Sequence, residues 1–255
     1  MITAQFIHGD CLEVLPTLPK GGIDMIFADL PYSCTNLHWD TPICLDDLWP
    51  KTWAACKSNA NVIMTATQPF VTSLINSQSE CFQYETIWLR VKATNPFSAN
   101  RKPMRRHENI LTFFRQRGTY NPQKHQGTPC RKSRPAHSKL YITTRHKSAT
   151  AVIRENKTGM HNPISVQCFD ESDILRGNSC VRVHETQKPI AMIRWLIRTY
   201  SNPGDTILDP TAGSGTTAVA ALLEGRHSIS IEKDPVIFAN AHERVMAVQR
   251  SLVRK

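Results

Sequence analysis

At 255 residues the chain can bury one substantial core but is short for two independent domains, so a single α/β domain carrying an insertion is expected. Hydrophobic residues at 40% and charged residues at 20% exclude wholesale disorder, and the longest apolar stretches, such as residues 218–223, are far too short to cross a bilayer. A net charge of +10 suits either a polyanionic partner or a solvated basic face.

In chain order, residues 4–7 read as a short strand and 11–15 as a helical turn. Residues 23–28 form an apolar run ending at Asp29, the profile of a strand buried on both faces. Residues 45–57 place Leu45, Leu48, Trp49, Trp53 and Cys56 at helical spacing. A strand at 61–65, a helix at 70–76 and strands at 84–91 and 109–114 follow. The rhythm then stops: residues 115–182 are rich in Lys, Arg, His, Ser, Thr, Asn and Pro without sustained periodicity, and partial order is expected there. It resumes with a helix at 190–200, a strand at 206–208, a small-residue helix at 217–223, a strand at 228–231 and a helix from Pro235 onward. Alternating strands and helices predict a Rossmann-like, doubly wound α/β sheet, organised as 1–114, an inserted region 115–182, and 183–255.

The eight cysteines include no C-x-x-C pair, and His125, Cys130, His137 and His146 match no ligand framework, so no metal is expected. The first residues lack a basic segment followed by an apolar block, and an intracellular protein is expected. Basic residues crowd between Arg90 and Arg182, with Arg101, Lys102, Arg105, Arg106, Arg131, Lys132 and Arg134 among the densest. Such a patch can neutralise phosphates and release counterions.

The C-terminal strand, glycine-rich turn and helix, followed by a strand ending at Glu232, form a βαβ unit of the kind that binds nucleotide-like ligands. Gly213 and Gly215 permit close backbone approach, and the acid can accept both hydrogen bonds of a ribose diol. No lysine follows Gly215, so a triphosphate cradle is not expected.

This DPTAGSGTT stretch resembles the DPFxGSGTT signature of the S-adenosylmethionine-dependent DNA amino-methyltransferases, and DLPY at Asp29, Leu30, Pro31 and Tyr32 resembles their DPPY catalytic motif with leucine in place of the first proline. HETQKP at 184–189 is similar to their HPTQKP segment, and IHGDCL at 7–12 to their early GD-containing turn. With the catalytic motif first, the basic region second and the cofactor motifs last, the order matches the β group of that family. The resemblance implies that Asp209, Thr211, Gly213 and Gly215 surround the methionine part of S-adenosyl-L-methionine and that Glu232 holds its ribose. It further implies that Asp10 and the Cys11 backbone meet its adenine, and that Lys188 and Pro189 line its pocket. The middle segment would recognise DNA, with the seven basic residues named above contacting phosphate. His107, Glu108 and Asn109 would be structural at the pocket edge.

The chemistry follows from the aryl amine, whose lone pair is delocalised into the ring. Asp29 and the Leu30 carbonyl can accept its hydrogens, Pro31 stiffens the turn, and Tyr32 offers a face for a base flipped out of the duplex. Leucine preserves the backbone acceptor. An aspartate opening the motif favours the N6 amine of adenine, whereas cytosine-amine enzymes more often open with serine. N4-cytosine methylation, RNA methylation and a catalytically silent nucleic-acid-binding protein stay open as alternatives, and a homodimer is compatible with the sequence.

Overall fold

The structure, a computed structural model, describes residues 2–31, 42–94, 96–134, 152–172 and 187–253. It packs as two compact units, one of Met1–Asn121 with Ser165–Lys255 and the other of Pro122–Ile164.

The first unit is built on an eight-stranded sheet. Its strands are β1 (Ala4–His8), β2 (Ile23–Ala28), β3 (Cys56–Ala66), β4 (Phe82–Thr94), β5 (Arg105–Phe113), β10 (Val166–Gln167), β11 (Thr206–Asp209) and β12 (His227–Glu232). Their spatial order is β1-β12-β11-β2-β3-β5-β4-β10. Every neighbouring pair is parallel except those made by β5, which runs against both β3 and β4. The Rossmann-like sheet is thus mostly parallel, with β5 reversed. The reversal follows from β4 and β5 being joined as a hairpin rather than through a crossover helix.

The central strands divide two cores between them. Along β2, Ile26 and Ala28 enter a cluster with Leu48 and Trp49 of α2 (Leu45–Ala55) and Val71 and Leu74 of α3 (Phe70–Ser77). Met25 and Phe27 enter the opposite cluster, with Met192, Ile193, Leu196 and Ile197 of α4 (Ile190–Tyr200) and Ala220 and Ala221 of α5 (Thr216–Leu223). Successive strand residues point to opposite faces, so a strand covered on both sides needs a continuous apolar run. The final helix, α6 (Pro235–Val253), packs Val245 against Ala218, Val219 and Leu222 of α5.

Residues 165–172 pack with this first unit. Val166 pairs with Ile87, Phe169 meets Trp195, and the buried Glu171 accepts hydrogen bonds from the Trp88 indole and the Val91 N–H, each at 3.1 Å. The second unit is a nested antiparallel arrangement. Strand β6 (His125–Gln126) pairs with β9 (Met160–His161), and β7 (Cys130–Arg134) pairs with β8 (Val152–Asn156).

One buried amide ties distant segments of the first unit together. Asn61, at the beginning of the buried part of β3, donates to the Thr119 carbonyl at 2.9 Å and to the Tyr200 carbonyl at 3.0 Å. Asn61→Ala leaves both carbonyls without that donor inside the protein, and a loss of about 2–3 kcal/mol of stability is expected in urea denaturation.

Candidate active site

The carboxyl ends of the neighbouring parallel strands bring four acids to one edge of the sheet. Asp10 follows β1, Asp29 follows β2, Asp209 ends β11 and Glu232 ends β12. This edge, outside the strand ends, is where open α/β sheets bind ligands.

Asp29 is held through both carboxylate oxygens and its main-chain carbonyl. Its Oδ1 accepts from the Thr65 hydroxyl at 2.5 Å, its Oδ2 meets Lys188 Nζ at 2.8 Å, and its main-chain carbonyl accepts from Thr211 Oγ1 at 3.2 Å. Lys188 also lies 3.3 Å from Glu108 Oε2, and Glu108 Oε1 in turn accepts from Arg90 at 2.7 Å. The result is a chain of alternating charge, Arg90–Glu108–Lys188–Asp29, running from β4 across β5 to the end of β2. Burial opposes the charged ammonium, but Asp29 and Glu108 outweigh it and hold the Lys188 pKa above the ordinary lysine range. Leu30 is buried in the core, Pro31 is partly exposed, and Tyr32 lies outside the described residues.

The glycine-rich loop is built around Asp209. One oxygen accepts from the Thr211 N–H at 3.1 Å and the other from the Thr217 hydroxyl at 2.5 Å, so this acid is turned toward its own loop. Its two glycines differ. Gly213 has φ +51° and faces open space, where a Cβ would meet nothing within 4 Å, and its N–H donates to Glu232 Oε2 at 2.8 Å. At Gly215, with φ +71°, a Cβ would lie 2.9 Å from Val245 Cγ2, so the absence of a side chain there lets α5 pack closely against α6. Glu232 Oε1 accepts from the Asp234 N–H at 2.9 Å, and each carboxylate oxygen keeps a second lone pair for a ligand.

At β1, Asp10 caps a short helix, α1 (Cys11–Val14), by accepting from the Leu12 N–H at 2.9 Å, and Lys233 Nζ lies 2.8 Å from its other oxygen. The Lys233 hydrogen bond, with help from the Leu12 N–H, holds the Asp10 carboxyl below its ordinary range against the opposing effect of burial. Cys11 is buried, and burial pushes its thiol up to about 11. Pro189 caps the start of α4, directly after Lys188.

The structure therefore gathers Asp10, Asp29, Thr211, Gly213 and Glu232 along one edge and sets Lys188 on Asp29. Thr65, Glu108 and Arg90 join them. The sequence context of Glu108 places it at the pocket edge, whereas Thr65 and Arg90 carry no motif that would mark them. Of the basic residues, Arg101 and Lys102 are exposed in the β4–β5 turn, Arg105 and Arg106 open β5, and Arg106 donates to the Arg90 carbonyl at 3.0 Å. Arg131, Lys132 and Arg134 belong to β7 in the second unit. Among the described residues no group of His, Cys, Asp and Glu could hold a metal, and no helix is long and apolar enough to cross a membrane.

Burial raises the Asp209 carboxyl from 3.8 to about 7, against the pull of its Thr217 and Thr211 hydrogen bonds. Between those two values the unfolded chain has lost a proton that the folded chain still holds, so Asp209 subtracts stability as pH rises through this window and subtracts nothing below it. Asp209→Asn removes that slope. Relative to the parent chain, the variant is expected to gain on the order of 4 kcal/mol between about pH 4 and pH 7.5, measured by urea denaturation at both values.

Comparison with solved structures finds the same architecture. The chain superposes on a complex of M1.HpyAVI with SAM at a TM-score of 0.63, with 19% identity, over 95% of this chain and 99% of that one. PvuII DNA methyltransferase, which is cytosine-N4-specific, matches at a TM-score of 0.66, with 14% identity, over 99% and 93% of the two chains. TTHA0409 from Thermus thermophilus, complexed with S-adenosyl-L-methionine, matches at 0.57, with 18% identity, over 97% and 96%. In sequence, YubD from Escherichia coli (strain K12) is 25% identical over 253 residues, 98% of this chain and 93% of YubD. A family model described as DNA methylase, N6_N4_Mtase, matches residues 23–243, nearly the whole chain and every strand-end acid except Asp10, so the chain belongs to the N6/N4 DNA methylase family.

Proposed function

We propose that this DNA methylase transfers the methyl group of S-adenosyl-L-methionine to the N6 amine of adenine in DNA. The observation that carries the reading is the seat of Asp29, fixed on both carboxylate oxygens at the sheet edge beside a glycine loop with an open face. The residues present fit the cofactor. Gly213 leaves room for close approach, and Glu232 retains acceptor capacity for a ribose diol. When bound, the cofactor supplies an electrophilic methyl group on a sulfonium.

The remaining work falls to the chain. Thr65 and Lys188 fix the rotation of the Asp29 carboxylate, and Thr211 pins its carbonyl. An amine presented to Asp29 and the Leu30 carbonyl donates hydrogen bonds to two acceptors, which makes the nitrogen lone pair more available to the methyl carbon, and the proton that the methylated nitrogen then sheds passes by way of Asp29 to solvent. Placement and preorganised acceptors lower the barrier without strong-base chemistry. The target base must leave the duplex to reach this edge. The inserted region 115–182, which contains the compact 122–164 unit with Arg131, Lys132 and Arg134 on β7, is the proposed DNA-recognition element, and Arg101, Lys102, Arg105 and Arg106 are proposed to contact phosphate. The aspartate that opens DLPY supports adenine over cytosine.

The test incubates the protein with labelled S-adenosyl-L-methionine and unmethylated genomic DNA and identifies the labelled nucleoside. N6-methyladenine is expected, whereas N4-methylcytosine would overturn the choice of base and no labelled nucleoside would overturn the activity. Asp29→Ala is expected to lower the rate by roughly 10²- to 10³-fold while cofactor and DNA binding persist.

A further inference from the structure

The β4–β5 hairpin carries a side chain that the site chemistry leaves unused. Its tip is ordered by successive turns, with the Ala99 N–H donating to the Pro96 carbonyl and the Arg101 and Lys102 N–H groups to the Ser98 carbonyl. On this tip Phe97 is completely exposed, at 102% of its reference area, and Val91 and Met104 on the same hairpin are 54% and 48% exposed. A fully exposed phenylalanine has its whole ring area available to be buried against a partner.

Its position and surroundings indicate what that is. Strand β4 runs parallel to β2 and β3, since both it and β3 are antiparallel to β5, so its carboxyl end rises from the same sheet edge as Asp29. Glu108, which reaches Asp29 through Lys188, pairs in register with Trp88, and Arg105 pairs with Thr94. Three residues of β5 therefore separate the level of the catalytic charge chain from the root of the tip, a rise of roughly 10 Å. The hairpin root is also tied to that chain, because Arg90 donates to Glu108 and accepts from Arg106. From Val91 to His107 the sequence holds Lys92, Arg101, Lys102, Arg105 and Arg106 and no acid. A lone aromatic ring set among cations, standing above a base-modifying edge, matches a base stack flanked by phosphates.

We propose that Phe97 is a wedge that enters the DNA base stack beside the target nucleotide and holds open the place from which the base has flipped. The inference rests on the methyltransferase reading above. Stacking on the vacated step offsets part of the unstacking cost, and the five basic residues carry the hairpin to the backbone. A wedge aids only substrates whose target base is stacked and paired.

The experiment first maps the methylated base. It then compares two duplexes carrying that site, one with the target paired and one with it opposite an abasic position. Phe97→Ala is expected to lose roughly 10- to 100-fold in kcat/KM on the paired duplex and little on the unpaired one, with Phe97→Trp restoring the paired rate. An equal effect on both duplexes, or none on either, overturns the wedge alone. A wild-type dimer that Phe97→Ala dissociates in sedimentation, with the paired-to-unpaired ratio unchanged, assigns the ring to self-association and also overturns it. Absence of methyl transfer by the wild-type chain overturns the parent reading and the wedge together.

Discussion

The ammonium of Lys188, held between Asp29 and Glu108, is the interaction on which the arrangement of the site depends. It joins three segments far apart in sequence: the end of β2, the middle of β5 and the residue before Pro189 at the start of α4. Charges withdrawn from water are tolerated only with close, oriented partners, and removing one partner leaves the others uncompensated. The ion chain therefore constrains geometry more than it adds to stability. It fixes the direction in which the Asp29 carboxylate presents itself, and through Arg90 it anchors the hairpin that rises beside the site.

A second constraint is the sheet itself. Parallel strands aim their carboxyl ends at one edge, so a short turn after each strand suffices to bring Asp10, Asp29, Asp209 and Glu232 into one row. The four then diverge in task. Asp209 is consumed by its own loop, Asp10 caps a helix and meets Lys233, Glu232 organises Gly213 and Asp234, and Asp29 is oriented by Thr65 and Lys188. At Asp10, Asp209 and Glu232 the acid accepts a backbone N–H of the turn after its strand, whereas Asp29 accepts from the Thr65 hydroxyl and meets the Lys188 ammonium. The surroundings of each acid, rather than its identity, set what it can do.

Much of this was legible in the sequence because it is written in local pattern. The run at 23–28 forms a strand with those bounds since both faces of β2 are covered, and the helix at 190–200 follows from Ile193, Leu196 and Ile197 sharing one face. What escaped was information held between segments. Strand β3 begins at Cys56, five residues before the apolar run, because its polar opening stretch 57–59 is exposed and carries no hydrophobic signal. The reversal of β5 depends on pairing, which no periodicity encodes. The glycines of the loop look equivalent in the sequence, yet Val245, thirty residues on, gives Gly215 a packing reason that Gly213 lacks. Lys188 was legible as a motif residue facing a cofactor, but its contact with Asp29 follows only from the fold.

That difference makes Lys188 the sharpest point of the account, since a residue that lines the cofactor pocket and one that orients the Asp29 carboxylate fail in different ways. The decisive measurement is the single-turnover rate of methyl transfer by Lys188→Met with both S-adenosyl-L-methionine and DNA saturating. Loss of an oriented acceptor predicts a rate roughly 100-fold below that of the parent chain even at saturation. A saturated rate equal to the parent's, with only the affinity for S-adenosyl-L-methionine reduced, would contradict the account and return Lys188 to the cofactor.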